Sequence, residues 1–203
     1  MINAATRALT GLHEARIFEL PMSLAETRLL PGAIGALGRF GKVEAIPYLV
    51  EALAEDESRP AAEAVLRNFG SPARQALVAA TQPSPPAGRE SESSLRRRRS
   101  ALQLLTQIGI RPETWPVLRN LMQDQDAKIA VLARKISLAS AMESEKDAAI
   151  RYLISLLPSV DFVLTDEIEQ CLTFHFDNAK KVVAAAIQAG DPAPKDDPPR
   201  RIG

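Results

Sequence analysis

The sequence predicts an all-α protein, an α-solenoid in which antiparallel helix pairs stack into a superhelix. Three observations carry that expectation. The first is a recurring helix ending: Ala36, Leu37, Gly38, Arg39, Phe40 and Gly41 return in type as Val65, Leu66, Arg67, Asn68, Phe69 and Gly70, 29 residues later. A fixed period of this size marks stacked units, because one helix pair cannot bury its apolar face alone. The ending comes a third time as Leu104, Leu105, Thr106, Gln107, Ile108 and Gly109, displaced by 39 residues, with a Pro/Ser-rich insertion accounting for the excess. The second observation is that ETWPVL at 113–118 matches EAIPYL at 44–49 in type and order. The third is composition. Aromatics are 4% of the chain, Ala and Leu are abundant and β-branched runs are scarce, which favours helices whose small residues let axes approach closely over any sheet.

In chain order, Ile2, Leu9, Leu12, Ile17 and Leu20 form a loose helical stripe before Pro21, and Ser23 with Glu26 has capping-box spacing for the next helix. Residues 1–30 are expected to form an N-terminal cap. Pro31 and Gly32 kink or divide that helix, after which Ala33, Ala36, Leu37 and Phe40 fall on one face. Gly41 ends the helix, and from Glu44 the next presents Ile46, Leu49, Val50 and Leu53. Pro60 suits the first turn of its partner, where Ala62, Val65, Leu66 and Phe69 repeat the spacing. A short helix is expected over 73–82. Residues 83–94 then read as an exposed flexible insertion.

Ala101, Leu104, Leu105 and Ile108 resume the stripe, and Ile129, Leu132, Ala133 and Ile136 continue it. Burial is therefore expected for Val65, Leu66, Phe69, Leu104, Leu105 and Ile108. A helix over 146–157 carries Ala149, Ile150, Leu153, Ile154 and Leu157, and Thr165 begins another with Ile168, Cys171 and Leu172. Asp177 or Asn178 can cap the last, which ends near Gly190. Residues 1–190 thus read as a single repeat domain, and 191–203, with four prolines among charges, as a disordered tail.

With 25 basic and 25 acidic residues the formal charge is zero, so nothing global draws the chain to nucleic acid or an anionic membrane. A single cysteine, Cys171, excludes an intramolecular disulfide framework and supplies no thiolate cluster. No apolar run approaches 18 residues and no signal-peptide core follows Met1, so a cytoplasmic location is the default.

These features together resemble HEAT-like repeats of the phycobilisome-lyase type. The residues that carry the resemblance are the E-A-I-P opening, the acidic turn, and the helix ending in an apolar residue and glycine. The match is good over Pro31 to Gly70, fair over Leu95 to Ile136 and weak elsewhere. The resemblance implies an α-solenoid that binds proteins, and a structural ladder in which Asp56 meets Arg59, with Arg98 at the equivalent place in the later unit. It leaves three functions open. One is a non-enzymatic scaffold or adaptor; another is a bilin-lyase-like enzyme subunit or chaperone. The third is a nucleic-acid binder similar to HEAT-like DNA glycosylases, against which the absence of net charge counts.

Chemical motifs are sparse. The arginine run 96–99 spreads through roughly 300° of a helix at about 100° per residue, so it cannot converge on one ligand. Solvated charges, a binding role for acidic protein or phosphate, and a processing or targeting signal all remain open for it. HEAT-like metal hydroxylases use several His-Glu pairs, whereas His13 and Glu14 form one and His175 has no acid beside it, so no metal and no cofactor is expected. Cys171, His175 and Trp115 read as packed residues, and no catalytic residue is proposed. Aligning the core stripes leaves Gly38, Arg67, Thr106 and Arg134 in one column and Arg39, Asn68, Gln107 and Lys135 in the next. The expectation is a mostly basic ridge of Arg39, Arg67, Arg134 and Lys135 along the second helices, with Arg98 near its edge. Glu44, Glu51, Glu55, Asp56, Asp124 and Asp126 fall on the first helices or their turns, and the ridge would suit an acidic protein segment.

Overall fold

The computed structural model describes residues 18, 19, 21–23, 30–83, 90–140 and 143–188. The expected disordered tail, most of the N-terminal cap, residues 84–89 of the insertion, and the His13–Glu14 pair lie outside the described residues. The chain divides into two compact units, Met1–Gly109 and Ile110–Gly203. The boundary follows the third of the recurring glycines. Among the described residues the regular structure is entirely helical, and no helix is long and apolar enough to cross a membrane.

Unit 1 contains α1 (Pro31–Phe40), α2 (Ile46–Glu51), α3 (Arg59–Phe69), α4 (Arg74–Ala80) and α5 (Glu92–Ile108). Pro31 occupies the first turn of α1 and leaves Leu30 extended, as the residue before a proline prefers, so the chain is divided there. The helices α1, α3 and α5 form one row in which each packs on the next, and α2 and α4 form a second row against it. The sequence columns are rows of this packing. Ala33, Ala62 and Ala101 are fully buried, as are Leu37, Leu66 and Leu105. Each of the three row helices ends in a glycine at positive φ: Gly41 at 63°, Gly70 at 62° and Gly109 at 78°. Glycine adopts these angles without the Cβ penalty that other residues meet.

Unit 2 contains α6 (Trp115–Arg119), α7 (Ala127–Ser140), α8 (Glu143–Leu156), α9 (Phe162–Phe174) and α10 (Phe176–Gln188). The matched hexapeptides build the same local form in both units. A 3-10 turn, Val43–Ala45 or Pro112–Thr114, runs into a short α-helix with proline in its first turn. In α7, Ile129 to Ala133 and Ile136 to Leu138 are buried, an all-round burial that makes it the central helix of this unit. It packs on α8, and α9 and α10 pack on α8 in turn. Their apolar cluster includes Val131, Leu138, Ile150, Leu153, Ile168, Cys171 and Val182.

Several expectations are corrected. Leu66, Leu104 and Leu105 are buried, but Val65, Phe69 and Ile108 are only partly so. Phe69 and Ile108 are the last residues of their helices, where the stack stops covering them. Helix α5 starts at Glu92, inside the expected insertion, because the Ser91 hydroxyl caps it by accepting from the Ser94 backbone N–H at 3.2 Å. Helix α9 starts at Phe162 rather than Thr165, since the Asp161 carboxylate accepts from the Leu164 N–H at 2.9 Å. Neither Asp177 nor Asn178 caps α10; it follows α9 through the single residue His175, whose carbonyl accepts from the Asn178 and Ala179 N–H groups.

Candidate functional site

Position on the row α1, α3, α5 decides which arginines can meet a partner. Arg39 and Arg67 lie in the last turns of α1 and α3, and both are exposed. A guanidinium there faces the negative end of the helix dipole, so each also stabilises its own helix end. Arg67 Nε donates to Gln107 Oε1 at 2.6 Å, from α3 to α5. That bond ties together two of the columns read from the sequence. Asn68 and Gln107 are exposed beside Arg39 on the same row.

Gly38 is different. A Cβ at this position would collide with the Val65 side chain, so the place where α3 carries Arg67 is, in α1, a contact with α3 rather than part of an exposed wall.

Two of the other candidates, Arg98 and Arg134, are held inside the fold. Arg98 is 2% exposed; its Nε donates to the Thr81 carbonyl at 2.8 Å and its Nη1 to Glu90 Oε2 at 2.6 Å. It clamps α5 to the end of α4, so it neither edges a binding surface nor occupies the ladder. The ladder position belongs to Arg96, which reaches Asp56 at 2.7 Å while Arg59 reaches the other oxygen of Asp56 at 2.8 Å. Arg97 lies 3.3 Å from Glu51. The run therefore fans out around α5 and finds three acids, Asp56, Glu51 and Glu90.

Arg134 is 8% exposed because Tyr152 of α8 covers it. Its guanidinium lies over the Tyr152 ring at 3.3 Å to the centroid, and Nη1 donates to the carbonyls of Met122 and Ala130. Burial pulls its pKa down to about 10, against the opposing effect of Tyr152, so it remains a cation at neutral pH. Lys135 is half-buried. Asp124 and Asp126 sit in the turn before α7, where Asp126 Oδ1 accepts from the Ile129 N–H at 3.0 Å and caps the helix.

The remaining reactive groups are packed. Burial raises the Cys171 pKa, opposed by the nearby Lys135 charge, so the thiol is not activated. Trp115 is buried, and its Nε1 donates to Glu145 Oε2 at 3.1 Å while Arg119 holds the other oxygen at 2.9 Å. Among the described residues no three His, Cys, Asp or Glu side chains are grouped to hold a metal. An open cleft of ≈ 580 Å³ lies on the second row, between Pro47 and Tyr48 of α2 and Ala76 and Ala79 of α4. Its polar end is Glu51 and Arg97. Sequence reasoning passed over it because small residues at a helix crossing carry no chemical signature. No family model and no curated protein matches this chain.

Proposed function

We propose that the chain is a non-enzymatic interaction scaffold of HEAT-like type, and that the row α1, α3, α5 of unit 1 receives an acidic segment of a protein partner. The observation that carries this reading is that Arg39 and Arg67 are both exposed in the last turns of α1 and α3, two helices packed side by side, while the Arg67–Gln107 bond at 2.6 Å registers α3 on α5. Packed helices stand about 8 to 10 Å apart. Two guanidinium groups at that spacing can engage successive carboxylates of one extended or helical segment, each through charge-assisted hydrogen bonds. The ridge is shorter than the sequence columns implied, since Arg98 and Arg134 are held internally. A nucleic-acid reading would rest on the arginine run, and Arg96, Arg97 and Arg98 are engaged with acids of the same unit.

The test uses a fluorescein-labelled peptide of alternating Glu and Ala as probe, with anisotropy measured against salt. Binding to the parent chain is expected to weaken steeply as salt rises. The pair Arg39→Glu and Arg67→Glu should abolish it with the helical circular dichroism unchanged, while Lys180→Glu with Lys181→Glu should leave it intact. No binding at low salt, or equal binding by the Arg39/Arg67 variant, would sink the proposal.

A further inference from the structure

Helices α9 and α10 of unit 2 carry large apolar side chains that are exposed. Phe162, Phe174, Phe176 and Ile187 are between 62% and 85% exposed, and Val163 and Val183 are exposed with them. Along α10, Phe176, Val183 and Ile187 fall within about 40° of one another at 100° per residue, so they make a single stripe. The inward contact of that helix is slight: Val182 is its one buried residue. An exposed apolar face of this kind is a standing cost in water. At the corner, Phe174 and Phe176 flank His175, and the Phe174 ring meets the imidazole edge-on at 5.1 Å.

Charge differs between these two helices: α9 carries acids and no base, while α10 carries two lysines and one exposed acid, Asp177. Exposed Asp166 and Glu169 lie on α9, and exposed Lys180 and Lys181 lie on α10; Asp177 is the acid in the first turn of α10. Lys180 shares the stripe face, so two copies of α10 face to face would set the two Lys180 side chains together. One copy's α10 against the other's α9 sets Lys180 against Asp166 and Glu169, which share a face with Phe162, twice, once on each side of a twofold axis, and covers the α10 stripe and Phe162.

We infer that α9 and α10 form a self-complementary face through which two copies of this chain pair, with α10 of each packed on α9 of the other. A twofold pairing is the commonest way a soluble chain covers such a surface, since one patch serves as both partners. Phe162, Phe176 and Ile187 supply the desolvated centre, and the acid and base pairs at the rim fix which helix meets which.

Light scattering coupled to size exclusion, and sedimentation velocity across the micromolar range, read this directly on the full chain without any ligand. The parent is expected to reach twice the monomer mass as concentration rises. Val183→Asp with Ile187→Asp should hold it at monomer mass, with the melting temperature that the parent shows at dilutions where it is monomeric, because neither side chain belongs to the core. The pair Lys180→Glu and Lys181→Glu should weaken self-association about tenfold or more, and so should Asp166→Lys with Glu169→Lys. Mixing those two charge variants, or combining all four substitutions in one chain, should restore it. A parent chain that stays monomeric throughout, or a dimer indifferent to both charge variants, would overturn the inference. Arg39→Glu with Arg67→Glu should leave the dimer unchanged, so failure here is distinct from failure of the proposed acidic-segment site.

Discussion

The two units hold their helices together by different means. In unit 1 the repeat is regular and the charges connect neighbouring elements: Asp56 joins Arg59 to Arg96, Glu51 meets Arg97, and Glu90 meets Arg98. In unit 2 no glycine falls among the described residues, and a contiguous apolar cluster around α8 gathers side chains of α7, α8, α9 and α10. The buried cations follow the same division, since Arg98 has a carboxylate while Arg134 is held by a ring and two backbone carbonyls. Unit 2 also joins helices through charges, Arg119 to Glu145 and Lys128 to Glu167, but a single apolar cluster runs through four of its helices. Apolar side chains of α9 and α10 remain exposed.

If this contrast is right, Arg98→Ala has the largest effect. It removes the partner of Glu90 and the donor to Thr81, at about 3 kcal/mol, the low end for a broken buried pair because Glu90 keeps some solvent contact. Urea denaturation with hydrogen exchange should show α4 and α5 losing protection while α9 keeps it; uniform loss would break the distinction between the units. Arg134→Ala should cost less, about 2 kcal/mol, the scale of a desolvated cation–π contact. That loss should appear in the exchange of α7 and α8. Because the residue is internal, a charge reversal there would disturb unit 2 itself and would say nothing about partner binding.

The glycines sharpen the comparison within unit 1. Gly41 has φ 63° and ψ 20°, a left-handed conformation that Asn tolerates, whereas Gly109 has φ 78° and ψ 163°, a region open to little but glycine. Neither has any atom within 4 Å of an added Cβ, so backbone strain alone separates them. Gly109→Asn should lower stability by at least about 1 kcal/mol, and Gly41→Asn by a few tenths. Equal melting temperatures for the two variants would contradict this.

Much of unit 1 was legible because the device that builds it is local. A glycine after an apolar residue, an E-x-x-P opening and an alanine four residues before a leucine each act within one helix, and sequence order preserves them. The residues misplaced by the columns are those decided by neighbours far along the chain. Arg98 and Arg96 are interchangeable by pattern; the positions of Thr81, Glu90 and Asp56 choose between them. Arg134 follows the column of Arg67, yet Tyr152 of the next helix covers it. Phe18 gave no signal within a helical stripe, but its ring packs edge-on against Phe40 at 5.6 Å under the Lys42 ammonium. Arg39 and Arg67 were readable as surface because each lies in the last turn of its helix, just before the glycine that ends it, and is exposed there.

The smallest effect belongs to unit 2 and is a matter of pH. His175 sits at the corner between α9 and α10, and its pKa is lowered first by partial burial and then by the Lys146 charge. The unfolded chain takes up a proton near 6.5 while the folded imidazole stays neutral, so unfolding binds protons in that range. The stability that His175 contributes is therefore present above pH 6.5 and declines as the pH falls through that value toward the lowered one. Replacing it with Gln keeps a polar side chain of similar reach and removes the titration. Urea midpoints measured on either side of pH 6.5 should then differ less in His175→Gln than in the parent, and Lys146→Gln should shift the decline to lower stability loss because one of the two causes is gone. A parent and a His175→Gln variant with the same pH dependence would mean that the corner is solvated in the fold much as it is in the unfolded chain.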